Sequence, residues 1–285
     1  MLIPISVDAN MSPFDELDIL ETAIREIEGT VDHPYAGTKQ FLVDGIEERK
    51  EFLRDRYNDE STYVMVNIGS QRLTVVQDGE TVQSQKVIIG RDSRATPEFS
   101  DDIKYIVTNP YWNVPKSLAT RDVIPKIVAN PAIAEQRGYE MVDNITGKVV
   151  PFNPDANLNK FRMRQKPGPL NALGEIKFMF DPVPNRAIYL HDTPNKELFN
   201  NDVRRYSSGC VRLEDPEAFG RFLMGGDDIP ASKINDKWFK LKNAVTVHIV
   251  DWSVYVDSNG DIIVNDNTGE KYMSMDSIAS QIIIF

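Results

Sequence analysis

Apolar positions along this 285-residue chain follow two textures. Near the start, Leu17, Leu20, Ile24 and Ile27 return at helical spacing until Gly29, which predicts a helix with one buried stripe. Ser12 reads as its N-cap, Pro13 as its first helical position and Asp15 as a first-turn acid. Leu42, Ile46, Leu53 and Tyr57 repeat the spacing inside a heavily charged stretch, which predicts a second helix with a solvated face.

From Thr62 the period shortens. β-Branched runs predict strands at Tyr63–Ile68, Arg72–Gln77 and Val82–Ile89, the last two joined by an Asp78-Gly79 hairpin turn. Further strands are expected at Lys104–Thr108, Glu175–Phe180, Ala187–Leu190 and Val245–Val250, and at Val254–Val256 with Ile262–Val264 across Asn259-Gly260. Helix and strand do not alternate, which argues against a doubly wound parallel sheet. The expectation is a mainly β fold with some α: a helical, acidic segment over 1–60 and a larger domain over 61–285. Within that domain, residues 109–167 form a Pro- and Asn-punctuated stretch containing NPYWNVP and one expected helix near Arg121–Val128. It reads as an insertion or lid, because unstructured loops of such length are uncommon in compact domains.

The formal net charge is −11, and residues 1–60 carry 15 acidic against 6 basic side chains while the remainder carries 28 against 26. Without clustered Lys and Arg, neither a nucleic acid nor an anionic membrane surface is an expected partner. No apolar run approaches the ~18 residues of a membrane span. The start, MLIPISVDANMSP, lacks the basic and apolar regions of a secretory signal. One cysteine permits neither an internal disulfide nor a multi-cysteine metal site.

The informative stretch is IYLHDTPNKELFNNDVRRYSSGCVRL, Ile188–Leu213. His191 closes a predicted strand, and Ser207-Ser208-Gly209 sets Cys210 behind a small turn. Backbone N–H groups of such a turn can face a carbonyl oxygen as it becomes an oxyanion. Asp215 then caps a helix whose buried stripe is expected at Ala218, Phe222 and Leu223. A thiol and an imidazole that converge suffice for acyl transfer, and an imidazolium would pull the thiol below the ~8.5 of a free cysteine.

The run from His191 through Ser207-Ser208-Gly209-Cys210 to Arg212 resembles the signature of the L,D-transpeptidase (YkuD-type) catalytic domain. There a His precedes an S/T-H-G-C element by a similar spacing. The similarity extends over most of Tyr63–Asp266, through VNIGSQRLTVV, VIIGRDSRATPEF, NPYWNVP, QKPGPLNALGEIKFMF and HDTP, and is nearest to the YcbB-like branch with its inserted lid. Ser208 stands where a His is usual, and that branch tolerates serine.

The resemblance implies an L,D-transpeptidase-like β-sandwich catalytic domain and a set of roles. Cys210 is the nucleophile and His191 the base and later acid. The backbone carbonyl of Asp192 orients the ring, while its side chain either contributes or only shapes the turn. The N–H groups of Ser208, Gly209 and Cys210 are oxyanion candidates. Tyr189 and Asn171 are expected in the donor cleft. Arg212 either holds a substrate carboxylate or pairs with an acid, and Trp112 either covers the acyl site or packs locally. His33 and His248 have no partner motif and read as ordinary imidazoles.

No metal or organic cofactor is expected. The implied partners are donor and acceptor peptidoglycan stem peptides, with carbapenems as inhibitors. The implied place is the periplasm or cell envelope. The implied reaction joins two third residues after release of a terminal D-alanine. L,D-carboxypeptidation, anchoring of a protein to the wall, a secreted wall-attacking effector and a non-catalytic wall-binding module stay open beside it. In NlpC/P60-type peptidases the Cys precedes the His, opposite to the order here.

Overall fold

The computed structural model describes residues 12–28, 39–57, 61–180, 188–230, 234–256, 262–265 and 270–273. The expected helix stop at Gly29, the Asn259-Gly260 turn and His33 lie outside them, as do the side chains of Ile27, Leu53 and Tyr57. Among the described residues, no helix is long and apolar enough to cross a membrane.

The chain divides into two compact units. The first comprises 1–86, 97–101 and 245–285. Its helices are α1 (Pro13–Glu28) and α2 (Lys39–Tyr57). Ser12 caps α1 reciprocally, because Asp15 N–H donates to Ser12 Oγ at 3.2 Å and Ser12 N–H donates to Asp15 Oδ2 at 2.9 Å. Strands β1 (Thr62–Asn67), β2 (Arg72–Gln77) and β3 (Glu80–Gly90) follow, with β1–β2 and β2–β3 antiparallel. Leu20 and Ala23 of α1 and Leu42 and Ile46 of α2 bury against Val254, Ile262 and Val264. Arg49 is held in this core by Glu16 Oε2 at 2.7 Å, the Val254 carbonyl at 2.7 Å and the Trp252 ring at 4.2 Å. His248 is a packed imidazole, 2.7 Å from Ser100 Oγ and against the Phe52 and Tyr63 rings.

The second unit comprises 87–96 and 102–244. It takes the end of β3 and most of β4 (Phe99–Thr108). Between β4 and the next long strand, the segment 109–167 builds a small structure of its own. It contains β5 (Trp112–Asn113), α3 (Lys116–Leu118), a π-helical turn at Ala119–Val123, α4 (Ile124–Ala129) and α5 (Ala132–Gln136). Strands β6 (Tyr139–Asp143), β7 (Val149–Val150) and β8 (Phe161–Gln165) complete a four-stranded sheet in the order β5-β8-β6-β7. Val114, Ala119, Val123, Ile127, Met141 and Met163 form its core. The sequence predicted one helix here; elements of two to six residues are too short to show a period.

Strands β9 (Ile176–Met179), β10 (Leu190–His191), β11 (Arg205–Ser207) and β12 (Val211–Leu213) extend the main sheet in the order β11-β3-β12-β10-β9-β4. The expected strand Ala187–Leu190 is shorter than predicted and includes His191; Ala187 lies outside the described residues. Helix α6 (Pro216–Leu223) is capped by Asp215, whose Oδ1 accepts from Ala218 N–H at 2.9 Å. Its buried side is Pro216, Phe219, Gly220 and Leu223, with the Phe219 ring 4.9 Å from Phe178. The predicted stripe named Ala218 and Phe222, which are half-buried, and missed Phe219. The fold is mainly β with helices, as the pattern predicts.

Candidate active site

Strand register gathers the chemistry in the second unit. β10 runs parallel to β12 with His191 opposite Arg212, and antiparallel to β9 with His191 opposite Lys177. Side chains paired across strands share a face. The imidazole therefore sits in a row between a guanidinium and an ammonium, with Cys210 at the entry to β12.

The turn before Cys210 is shaped by its neighbours. Gly209 has φ of +116°, a region that L side chains rarely adopt, and a Cβ there would stand 3.0 Å from Ile188 Cδ1. Ser207 Oγ donates to the Cys210 carbonyl at 2.6 Å and accepts from Gly209 N–H at 3.0 Å. Thr96 Oγ1 donates to the Gly209 carbonyl at 2.9 Å. One oxyanion expectation changes as a result: the Gly209 N–H is engaged inside the turn. Ser208 Oγ accepts from Arg94 at 3.0 Å, and Arg94 also pairs with Asp122 of the π-helical turn at 2.7 Å. This ties the inserted segment to the cysteine loop.

A cavity of about 280 Å³ is walled by Cys210, His191, Tyr189, Arg212, Ser208 and Trp112, with Arg94, Arg121 and Asp122 on its edge. Asn171 does not line it. Its Nδ2 donates to the Pro110 and Lys166 carbonyls at 3.0 and 2.9 Å and its Oδ1 accepts from Leu173 N–H at 2.7 Å, so it is a buried clip. Asp192 is engaged through both its backbone and its side chain. Its carbonyl oxygen lies 2.5 Å from His191 Nδ1, while its carboxylate accepts from Glu175 N–H at 2.9 Å and meets Lys196 at 2.7 Å. Arg212 makes no ion pair among the described residues, and its buried Nε lacks a hydrogen-bond partner.

Burial, then the Arg212 and Lys177 cations, push the pKa of His191 down to about 3, against the Asp192 and Leu173 carbonyls, which raise it. The ring is neutral at physiological pH. A carbonyl oxygen can only accept, so Nδ1 carries the proton toward Asp192 and Nε2 is the basic nitrogen. Burial pushes the Cys210 thiol up, against the pull of the Tyr189 N–H and hydroxyl and of the Lys177 and Arg212 cations. The resting pair is thus thiol and neutral imidazole, which corrects the expected imidazolium-stabilised thiolate. Two cations in the row disfavour a third charge on His191, and burial disfavours the thiolate.

Lys177 and Ser207 carry no signal as isolated letters. The register of β9 and the hydroxyl two residues before Gly209 reveal them.

Residues 61–248 match the YkuD family model, described as the L,D-transpeptidase catalytic domain. A Haemophilus influenzae protein that carries the provisional name L,D-transpeptidase is 39% identical over 165 residues, covering 56% of this chain and 33% of that relative. The matched region thus spans about a third of the curated relative's length. Among solved structures, L,D-transpeptidase 3 from Mycobacterium tuberculosis with a faropenem-derived adduct matches 67% of this chain and 60% of its own at 14% identity and a TM-score of 0.35. The Ldtfm-avibactam carbamoyl enzyme matches 67% and 49% at 12% identity and a TM-score of 0.34. With the family model covering most of its length, the chain belongs to the YkuD family of L,D-transpeptidase catalytic domains.

Proposed function

We propose that this chain is a peptidoglycan L,D-transpeptidase of the cell envelope, with Cys210 as nucleophile and His191 as general base and acid. The observation that carries it is the meeting of the thiol, a neutral imidazole and an unpartnered guanidinium edge on one cavity.

His191 Nε2 takes the thiol proton as Sγ attacks the carbonyl of the third stem residue, at its L centre. The developing oxyanion is received by the Cys210 N–H. His191 returns the proton to the amine of the departing D-alanine, whose carboxylate Arg212 holds. A thioester remains. The side-chain amine of an acceptor stem attacks it, gives its surplus proton to His191, and Sγ leaves to be reprotonated. Residues 109–167 serve as lid, since Trp112, Leu118, Arg121 and Asp122 from that segment wall the cavity. Carbapenems acylate the same sulfur.

Incubation with a purified disaccharide-tetrapeptide, read by mass spectrometry, tests the reading. A cross-linked dimer that has lost one D-alanine is expected. Tripeptide alone makes water the acceptor and the chain an L,D-carboxypeptidase. Unchanged tetrapeptide sinks both.

A further inference from the structure

A half-buried lysine that the mechanism above leaves unused lies beside the nucleophile. Lys177 comes from β9, opposite His191 on one side and Val107 of β4 on the other. Its Nζ stands 3.8 Å from the centre of the Tyr189 ring. The Tyr189 N–H and hydroxyl favour the charged form of Cys210. Lys177 is not among the residues that wall the cavity.

The groups that face Lys177 are few. Cys210 acts on it from the entry to β12, His191 lies opposite on β10, Tyr189 presents its ring, and β4 offers apolar Val107. Among the described residues, Asp236 is the one acid acting on it. That carboxylate is already engaged, accepting from Tyr111 N–H at 3.3 Å and from the Trp238 indole at 3.2 Å. Lys177 makes no ion pair among the described residues, and burial pushes its pKa down to about 8. An ammonium kept out of water without a carboxylate is costly, and the aromatic face offsets only part of that.

We infer that Lys177 is a positioning residue for the nucleophile: its ammonium, seated on the Tyr189 ring, holds the negative charge that forms on Cys210 Sγ, without touching substrate. It acts in two ways. Its field favours the thiolate directly. A cation on the ring also draws electron density from the phenol and strengthens the O–H donated to sulfur. The proton still travels from Sγ to His191 Nε2; Lys177 gains and loses none. The inference rests on reading Cys210 as the nucleophile.

The test follows the rate at which iodoacetamide alkylates Cys210 against pH, read by intact mass, for wild type, Lys177→Met and Lys177→Arg. Lys177→Met removes the charge at nearly constant volume. Its alkylation midpoint is expected to rise by about one pH unit, which is roughly a tenfold smaller thiolate fraction below the midpoint. Lys177→Arg should return most of the way. With disaccharide-tetrapeptide, Lys177→Met should lower kcat about tenfold with KM little changed, since one unit of pKa is a factor of ten in reactive thiolate.

A folded Lys177→Met with an unmoved midpoint would overturn the inference, because a packing role leaves the thiol's titration alone. An Arg variant as impaired as Met would do the same. If Lys177→Met fails to fold, Lys177→Gln takes its place, and failure of both assigns Lys177 to packing. Alkylation reads the thiol whether or not stem peptides are turned over. A shifted midpoint without cross-linked product therefore sinks the proposed reaction alone, and product with an unshifted midpoint sinks this inference alone.

Discussion

Ser207→Ala tests whether the cysteine turn is held by its side chain or by the strands around it. Ser207 is 2% exposed, and its hydroxyl makes two hydrogen bonds, to the Cys210 carbonyl at 2.6 Å and from Gly209 N–H at 3.0 Å. Alanine leaves both backbone groups buried without that partner. Each lost bond is worth about 1 kcal/mol net, and an orphaned buried group adds to it, so roughly 2–3 kcal/mol of destabilisation is expected. At roughly 2–4 °C per kcal/mol for a chain of this size, the melt should fall by roughly 5–10 °C. Acylation by a carbapenem, timed by intact mass well below both melts, should slow about tenfold or more, because a loosened turn misplaces Sγ. Ser208→Ala is the control, since Ser208 is half-buried and accepts from Arg94 at 3.0 Å; its melt should move by less than about 2 °C. Equal melts and equal acylation rates for Ser207→Ala and wild type would refute the account of the turn.

Cys210→Ala should keep the wild-type melt closely and gain no carbapenem mass, and an adduct on that variant would place the nucleophile elsewhere. His191 makes stability depend on pH with a definite sign. Its folded pKa of about 3 lies below the usual value of 6.5, so the unfolded chain takes up the proton first as pH falls. The stability it supports is complete above 6.5 and is lost as pH falls toward 3. Between pH 7 and 5 the loss from this group is about 2 kcal/mol, and denaturant titrations of His191→Gln should lack it. Asp122→Asn should release the inserted segment from Arg94, seen as faster hydrogen exchange over Lys116–Ala129 than in wild type; unchanged exchange would show that the tie does not hold the segment.

Both N-terminal helices and most strands were legible because their signals are local. Leu20 and Ile46 are buried at helical spacing, and the Ser12–Asp15 box forms as its letters imply. The meeting of Cys210 and His191 on one cavity was legible only through their ordered spacing, since neither residue means much alone. Register and burial were not legible. Asn171 reads as a cleft residue and is consumed by three backbone bonds, while Lys177 is one letter of an expected strand and lies with its ammonium on the Tyr189 ring. The ionisation of the pair fails for the same reason: a sequence shows an imidazole near a thiol, and only the row Lys177–His191–Arg212 shows that it is neutral.

That row also explains why the resting thiol and the proposed chemistry are compatible. Arg212 has a buried Nε without a partner, and Lys177 has no ion pair among the described residues, so the fold holds two incompletely compensated cations beside Cys210. Folding alone would favour removing them or supplying acids. An acid would also cancel the field where sulfur and carbonyl oxygen become negative, and that charge exists only as the reaction proceeds. Donors and cations fixed in advance need no reorganisation at that moment, and they stabilise the transition state more than the neutral thiol. A permanent thiolate would instead spend the same field on the ground state. Burial therefore keeps Cys210 protonated at rest, and in the proposed reaction the cations lower the barrier as His191 takes its proton.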